Sequence, residues 1–177
     1  MAITVSQVPP AGETELRRAE ADLGSPIPGG YRVFLQASDG GRPVEGFFSP
    51  RIGVTDFLGV KGMVGRSRRL RGRLPEKLLP IADAEGGNLV CISVAEDDAG
   101  AIYFWDHQLE HRGDQAAEKI ADSFDEFVAR LRKLTESELP PLEVISVKID
   151  PEFLKMVKEQ EARAANQPTL RWPPGGD

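Results

Sequence analysis

His107, Glu110 and His111 spell H-x-x-E-H, and they include both histidines of the chain. On a helix this spacing can bring two imidazoles to one face as metal ligands, and a like-spelled motif occurs in zinc peptidases. Its context here is unfavourable. The motif follows a strand-like run, Arg112-Gly113 interrupts any helix at once, and no third ligand is marked out. We therefore expect a solvated loop and no metal. Asp97-Asp98 could serve as a carboxylate pair for acid–base work, but acids between two short apolar runs are commonly turn formers. Cys91 is the sole cysteine and sits inside an apolar run without a nearby His or cation, so it reads as a small buried hydrophobe. Gly86-Gly87 lacks the strand–G-x-G-x-x-G–helix setting of a dinucleotide site and the lysine of a phosphate loop. No G-x-S-x-G elbow occurs. Nothing in these residues argues for an enzyme, and no cofactor is expected.

All of these candidates hang from one stretch, Leu78–His107. Two apolar runs, Leu89–Val94 and Ala101–Trp105, follow a shorter piece, Leu78–Ala82, with turn-forming residues at Ala84–Asn88 and Glu96–Gly100. Short runs rich in Val, Ile, Tyr, Phe and Trp between such turns predict an antiparallel meander at the centre of the molecule. Upstream, Glu13–Leu23 has helical spacing and stops at Gly24. Pro28 can open a second helix with Tyr31, Phe34 and Leu35 on one face, ended by Asp39-Gly40-Gly41. Val44–Phe48, between prolines, predicts the first strand. Ile52–Val60 matches neither period and reads as irregular chain anchored by Phe57 and Leu58. Gly62, Gly65 and Gly72 argue against a long rigid helix in the basic tract Lys61–Lys77. His107–Lys119 reads as a polar connecting loop.

Ser123–Leu134 is the clearest helix, with Ser123 and Glu126 as a capping box and Phe124, Phe127, Val128 and Leu131 as its apolar stripe. Thr135–Pro141 reads as a linker, and Leu142–Ile149 alternates like one more strand. Asp150-Pro151-Glu152 is a good helix start, and Gln167–Asp177 is a Pro/Gly-rich tail. The expected class is α+β, a mostly antiparallel sheet flanked by helices. The expected organisation is a domain over 1–134 and an extension over 135–177. That extension could add an edge strand and helix, or supply a homodimer contact through Phe153, Met156 and Trp172.

The chain has 177 residues and a net charge of −6, which disfavours a bulk role in coating nucleic acid or anionic membrane. It has no long apolar span, and its first residues lack the basic and apolar regions of a signal peptide, so we expect a cytoplasmic protein. Charge is unevenly spread. Lys61–Lys77 carries Lys61, Arg66, Arg68, Arg69, Arg71, Arg73 and Lys77 against Glu76 alone. Glu96–Glu126 then carries ten acids against only Arg112 and Lys119. Either the two stretches partly neutralise each other, or the acidic one faces a basic protein partner, where complementarity speeds and orients association. The candidate interface is Glu96, Asp97, Asp98, Asp106, Glu110 and Asp114, with Trp105 beside it. Tyr103 is a second possible anchor, and at least one of the two aromatics is expected in the core.

The succession Leu23-Gly24, Pro28…Tyr31…Phe34-Leu35 and Asp39-Gly40-Gly41 resembles the opening of the SUKH superfamily, of Smi/Knr type. Its continuation is similar in LLPIADAEGGNLVCISV, DDAGAIYFWDH and SFDEFVARL, so the resemblance covers about Glu13–Leu134. Ile27-Pro28 stands for the usual Leu-Pro, Asp39 for Asn, and everything after Leu134 lies outside the pattern. The resemblance implies helices around a mostly antiparallel sheet and no catalytic motif. It also implies one of two roles: a bacterial immunity protein that neutralises a toxin, often a nuclease, or a regulatory or scaffolding interaction module with no toxin partner.

Overall fold

The computed structural model describes residues 4–6 and 8–138. Two helices come first, α1 (Glu13–Leu23) and α2 (Gly29–Ala37), then strands β1 (Phe47–Ser49) and β2 (Ile52–Phe57) and helix α3 (Val60–Arg69). Strands β3 (Leu78–Ala84), β4 (Leu89–Ser93) and β5 (Ile102–Trp105) follow. A 3₁₀ segment (His107–Ala116), β6 (Ala117–Ala121) and helix α4 (Phe124–Ala129) complete the order. The six strands form one antiparallel sheet in sequence order, so every neighbour in the sheet is also a neighbour in the chain. This is the α+β meander expected from the sequence.

Strict alternation in β4 and β5 buries both faces of the sheet. Val90, Ile92, Ile102 and Phe104 point to the helical side, where Leu16, Tyr31, Leu35, Phe124 and Phe127 join them in one core. Leu89, Cys91, Tyr103 and Trp105 point to the other side, where Leu70, Leu74, Leu109 and Ala116 cover them. That second cover consists of the turn after α3 and the 3₁₀ segment, a thinner layer than the helices opposite. Because Cys91 is fully buried in it, desolvation pushes its thiol well above the usual range, in keeping with a packing role.

Tyr31 joins α2 to the sheet. Its buried hydroxyl reaches the carbonyls of Leu58 and, at 2.8 Å, Ile81, and its ring packs edge-on against Phe124. Asp39-Gly40-Gly41 makes the other joint. Asp39 Oδ1 accepts a 2.7 Å hydrogen bond from the Val60 amide and so caps α3 from a distant part of the chain. Gly40 has φ +89, and a Cβ there would come within 2.6 Å of Gly59 N and Phe57 O. A Cβ on Gly59 would meet Asp39 O at 2.5 Å. Two backbones touch at this point, and only glycine leaves the room.

Several local expectations need correction. The first strand is Phe47–Ser49 and not Val44–Phe48; the Val44 amide instead bonds to Thr4 O at 3.0 Å, pairing this stretch with the N-terminal segment. Ile52–Phe57 is a strand, and a register shift between Val54 and Asp56 breaks the alternation that would have announced it. Val60–Arg69 is a ten-residue helix despite Gly62 and Gly65. Burial of Val60 and Met63 and the Asp39 cap outweigh a glycine cost of roughly 1 kcal/mol each. The stretch His107–Lys119 is not a plain loop: it forms the 3₁₀ segment and enters β6, whose exposed Glu118 and Lys119 gave it a polar signature proper to an edge strand.

Helix α4 ends at Ala129, because Arg132 exchanges backbone hydrogen bonds with Phe47 at 3.0 Å each. Its start is capped by Ser123 Oγ, which accepts from Glu126 N at 3.1 Å, while the Glu126 side chain accepts from Asp122 N at 2.8 Å. The expected strand Leu142–Ile149, the helix after Asp150, the tail and the homodimer contact lie outside the described residues. The chain divides into two units, Met1–Leu139 and Pro140–Asp177.

Candidate partner-binding surface

Glu96, Asp97 and Asp98 belong to the turn of the β4–β5 hairpin, which closes through Gly100 N to Ser93 O at 2.9 Å and Ala101 N to Asp98 O at 2.9 Å. Asp98 is committed to that turn. Its carboxylate accepts hydrogen bonds from Ser93 Oγ and, at 2.5 Å, from the Tyr103 hydroxyl. These donors hold the Asp98 carboxyl below its ordinary range, with help from the Lys119 charge. Reciprocally, the bond to Asp98 and partial burial push Tyr103 up to about 12. Glu96 and Asp97 are exposed and make no ion pair among the described residues.

Asp106, Glu110 and Asp114 follow the opposite end of β5. Asp106 caps the 3₁₀ segment, accepting from Gln108 N at 2.9 Å. Glu110 is held by Arg73 through Nε at 2.9 Å and Nη2 at 2.6 Å, and Asp114 is exposed. The candidate residues therefore fall into two groups at the two ends of one strand and do not form a continuous row. Trp105 is not available as a surface anchor: it is 1% exposed, within the second core cluster, and its Nε1 has no hydrogen-bond partner among the described residues. Alternation along β5 puts Trp105 and Tyr103 on the same covered face, with Tyr103 only partly buried.

The H-x-x-E-H residues do not converge. His107 Nδ1 donates to Asn88 Oδ1 at 3.0 Å, an arrangement that the 3.2 Å bond from His107 N to the same oxygen reinforces. Glu110 faces Arg73 and His111 is exposed. Among the described residues no group of three His, Cys, Asp or Glu side chains is placed to hold one metal ion. The basic tract is likewise partly engaged: Arg66 pairs with Asp83 at 2.6 Å, Arg68 with Asp22 at 3.0 Å, and Arg73 with Glu110. Basic and acidic stretches thus meet at one point, Arg73–Glu110, and otherwise serve different neighbours.

Reading the sequence missed a different feature. Val33, on α2, is 66% exposed beside a groove of about 1150 Å³ lined by Val8, Pro9, Phe34, Ala37 and Val128. At Gly30, Phe124 and Asp125 this groove adjoins a second concavity of about 330 Å³, reaching Ile92, Val94 and the Ala99-Gly100 turn. A signal existed in the first case: Val33 interrupts the polar face of a helix whose apolar face is Tyr31, Phe34 and Leu35.

Comparison with known proteins adds a family. A curated relative, the SPbeta prophage-derived uncharacterized protein YokK of Bacillus subtilis (strain 168), is 30% identical over 145 residues, covering 66% of this chain and 72% of the relative. No helix among the described residues is long and apolar enough to cross a membrane. The family model matches residues 10–130, the span that runs from α1 through the six strands to the end of α4. By that match the chain belongs to the SMI1 / KNR4 family (SUKH-1).

Proposed function

We propose that this chain is an immunity protein, which binds a bacterial toxin domain and neutralises it by covering its active site or substrate groove. Family membership over residues 10–130 carries this reading. The distribution of polar groups supports it. Asp98, Asp106, Glu110 and His107 are each occupied in holding a turn or a cover, leaving shape and charge as what the surface offers. An acidic protein of net charge −6 suits a basic target such as a nuclease, because it presents the kind of potential that the nucleic-acid substrate presents. Glu96, Asp97 and Asp114 are the members of the candidate interface whose carboxylates are exposed and without ion pairs among the described residues.

The protein acts in the cytoplasm, on toxin that has arrived there or is made there. The test is co-expression with a toxin domain encoded beside its gene. Growth should be restored, and the two proteins should co-purify as a complex whose association slows as salt rises. Undiminished toxicity in the presence of abundant folded protein would refute the proposal.

A further inference from the structure

Helix α2 turns Tyr31, Phe34 and Leu35 inward, yet Val33 is 66% exposed at the lip of the 1150 Å³ groove. This groove and its 330 Å³ neighbour share Gly30, Phe124 and Asp125, so they form one crease across the entrance to α2 and α4. The crease is apolar in its floor and one-signed in its charge. Among the described residues no Lys or Arg lines either part; the ionised groups are Asp122 and Asp125, of which Asp122 bonds to Lys119 at 2.7 Å. Glu96 and Asp97 stand on the turn that supplies its far wall. Two further concavities are different: one carries Arg51 with Asp106 and Glu118, another Arg42 and Lys133.

We infer that this crease is the docking site for a cationic amphipathic helix of a protein partner. Three features select that occupant. Apolar side chains reaching into the crease would cover Val33 and the floor around Phe34 and Val128. Lysine or arginine side chains flanking them would face Asp125, with Glu96 and Asp97 on the adjoining turn and no cation among the described lining residues to repel them. A helix, and not an added strand, is the form that fits, because α2 and α4 are helices and offer no open strand ladder. The inference rests on the immunity reading, in which the helix belongs to the toxin.

Two measurements on the full-length chain separate the inference from that reading. The first uses a fourteen-residue peptide with Leu at i, i+3, i+4 and i+7 and Lys elsewhere, against its Glu counterpart, followed by backbone-amide NMR. The Lys peptide should shift amides of residues 30–37 and 122–128, and the Glu peptide should not. Absent shifts, or shifts centred elsewhere, overturn the crease whatever the toxin does. The second measures affinity for the neighbouring gene's toxin domain. Val33→Lys and Asp125→Lys, both at exposed positions, should each weaken binding at least about ten-fold; Val33→Lys should leave the melting temperature unchanged, whereas Asp125→Lys also reverses a charge in the first turn of α4 and should lower it by a few degrees. Tight wild-type binding with both variants of unchanged affinity would overturn the crease and leave the immunity reading standing.

Discussion

Asp97 and Asp98 are adjacent acids with opposite tasks, and substituting them one at a time separates a structural carboxylate from a free one. Asp98→Ala removes the acceptor of two hydrogen bonds, from Ser93 Oγ and from the Tyr103 hydroxyl. Bonds to a charged acceptor contribute about 1.5–3 kcal/mol each. Asp98 is partly exposed, so the lower end applies to each bond, and solvent screening brings the total of about 3 kcal/mol down to about 2–3 kcal/mol. At about 3–4 °C per kcal/mol for a folded unit of this size, melting should fall by about 6–12 °C. Asp97→Ala, at an exposed position, should stay within about 0.5 kcal/mol of the parent.

The effect of Asp98→Ala should also have a pH window. The Asp98 carboxyl is lowered in the folded state, so its contribution is present above the unfolded value near 4 and is lost as pH falls below it. Tyr103 is raised to about 12 from 10.0, so the contribution is present below about pH 10 and lost as pH climbs toward 12. Urea denaturation of both variants at pH 3, 7 and 11 reads these differences, and ultraviolet titration follows the tyrosinate, which should form at lower pH in Asp98→Ala. Equal stability of Asp98→Ala and the parent at pH 7, or an equal loss in Asp97→Ala, would refute the assignment.

Two further substitutions test the joints of the fold. Tyr31→Phe takes the hydroxyl from the Leu58 and Ile81 carbonyls; Ile81 O keeps the Leu58 amide at 2.8 Å, so the loss should be about 1–2 kcal/mol in urea denaturation, with unchanged m. Asp39→Ala removes the cap of α3 and should cost about 1 kcal/mol, with faster amide exchange at Val60, whereas Asp39→Asn should keep most of the cap.

How much of this was legible in the sequence depends on whether the governing contact is local. The hairpin strands β4 and β5 announce themselves because each side chain's face is set by its parity, and the Ser123–Glu126 start of α4 because a cap is made within four residues. Strand β2 was hidden by its bulge, and α3 by glycines whose cost is met from Asp39, twenty-one positions away in the chain. Strand β6 exists because β5 lies beside it, which no local pattern records. The acidic residues are continuous in sequence and divided in space. Strand β5 carries its two ends apart, and Arg73 takes Glu110 out of the exposed set. Trp105 illustrates the same limit: its type made it a candidate anchor, with one of Trp105 and Tyr103 expected in the core, and parity put it under the 3₁₀ segment.

The residues that hold this fold and those available to a partner are largely different residues. Tyr31, Asp39, Gly40, Gly59 and Asp98 are fixed by buried carbonyls, a remote helix end, touching backbones and a hairpin turn. Val33, Glu96, Asp97 and Asp125 are exposed and make no ion pair among the described residues. Changing Val33, Glu96 or Asp97 alters shape and potential at and beside the crease without touching the first set, since exposed substitutions away from caps and cores shift stability by about 0.5 kcal/mol or less, whereas Asp125 also favours the start of α4. A binding protein that must match a particular opponent benefits from this separation. Specificity, being a difference between affinities for alternative partners, can then be altered at positions the scaffold does not depend on.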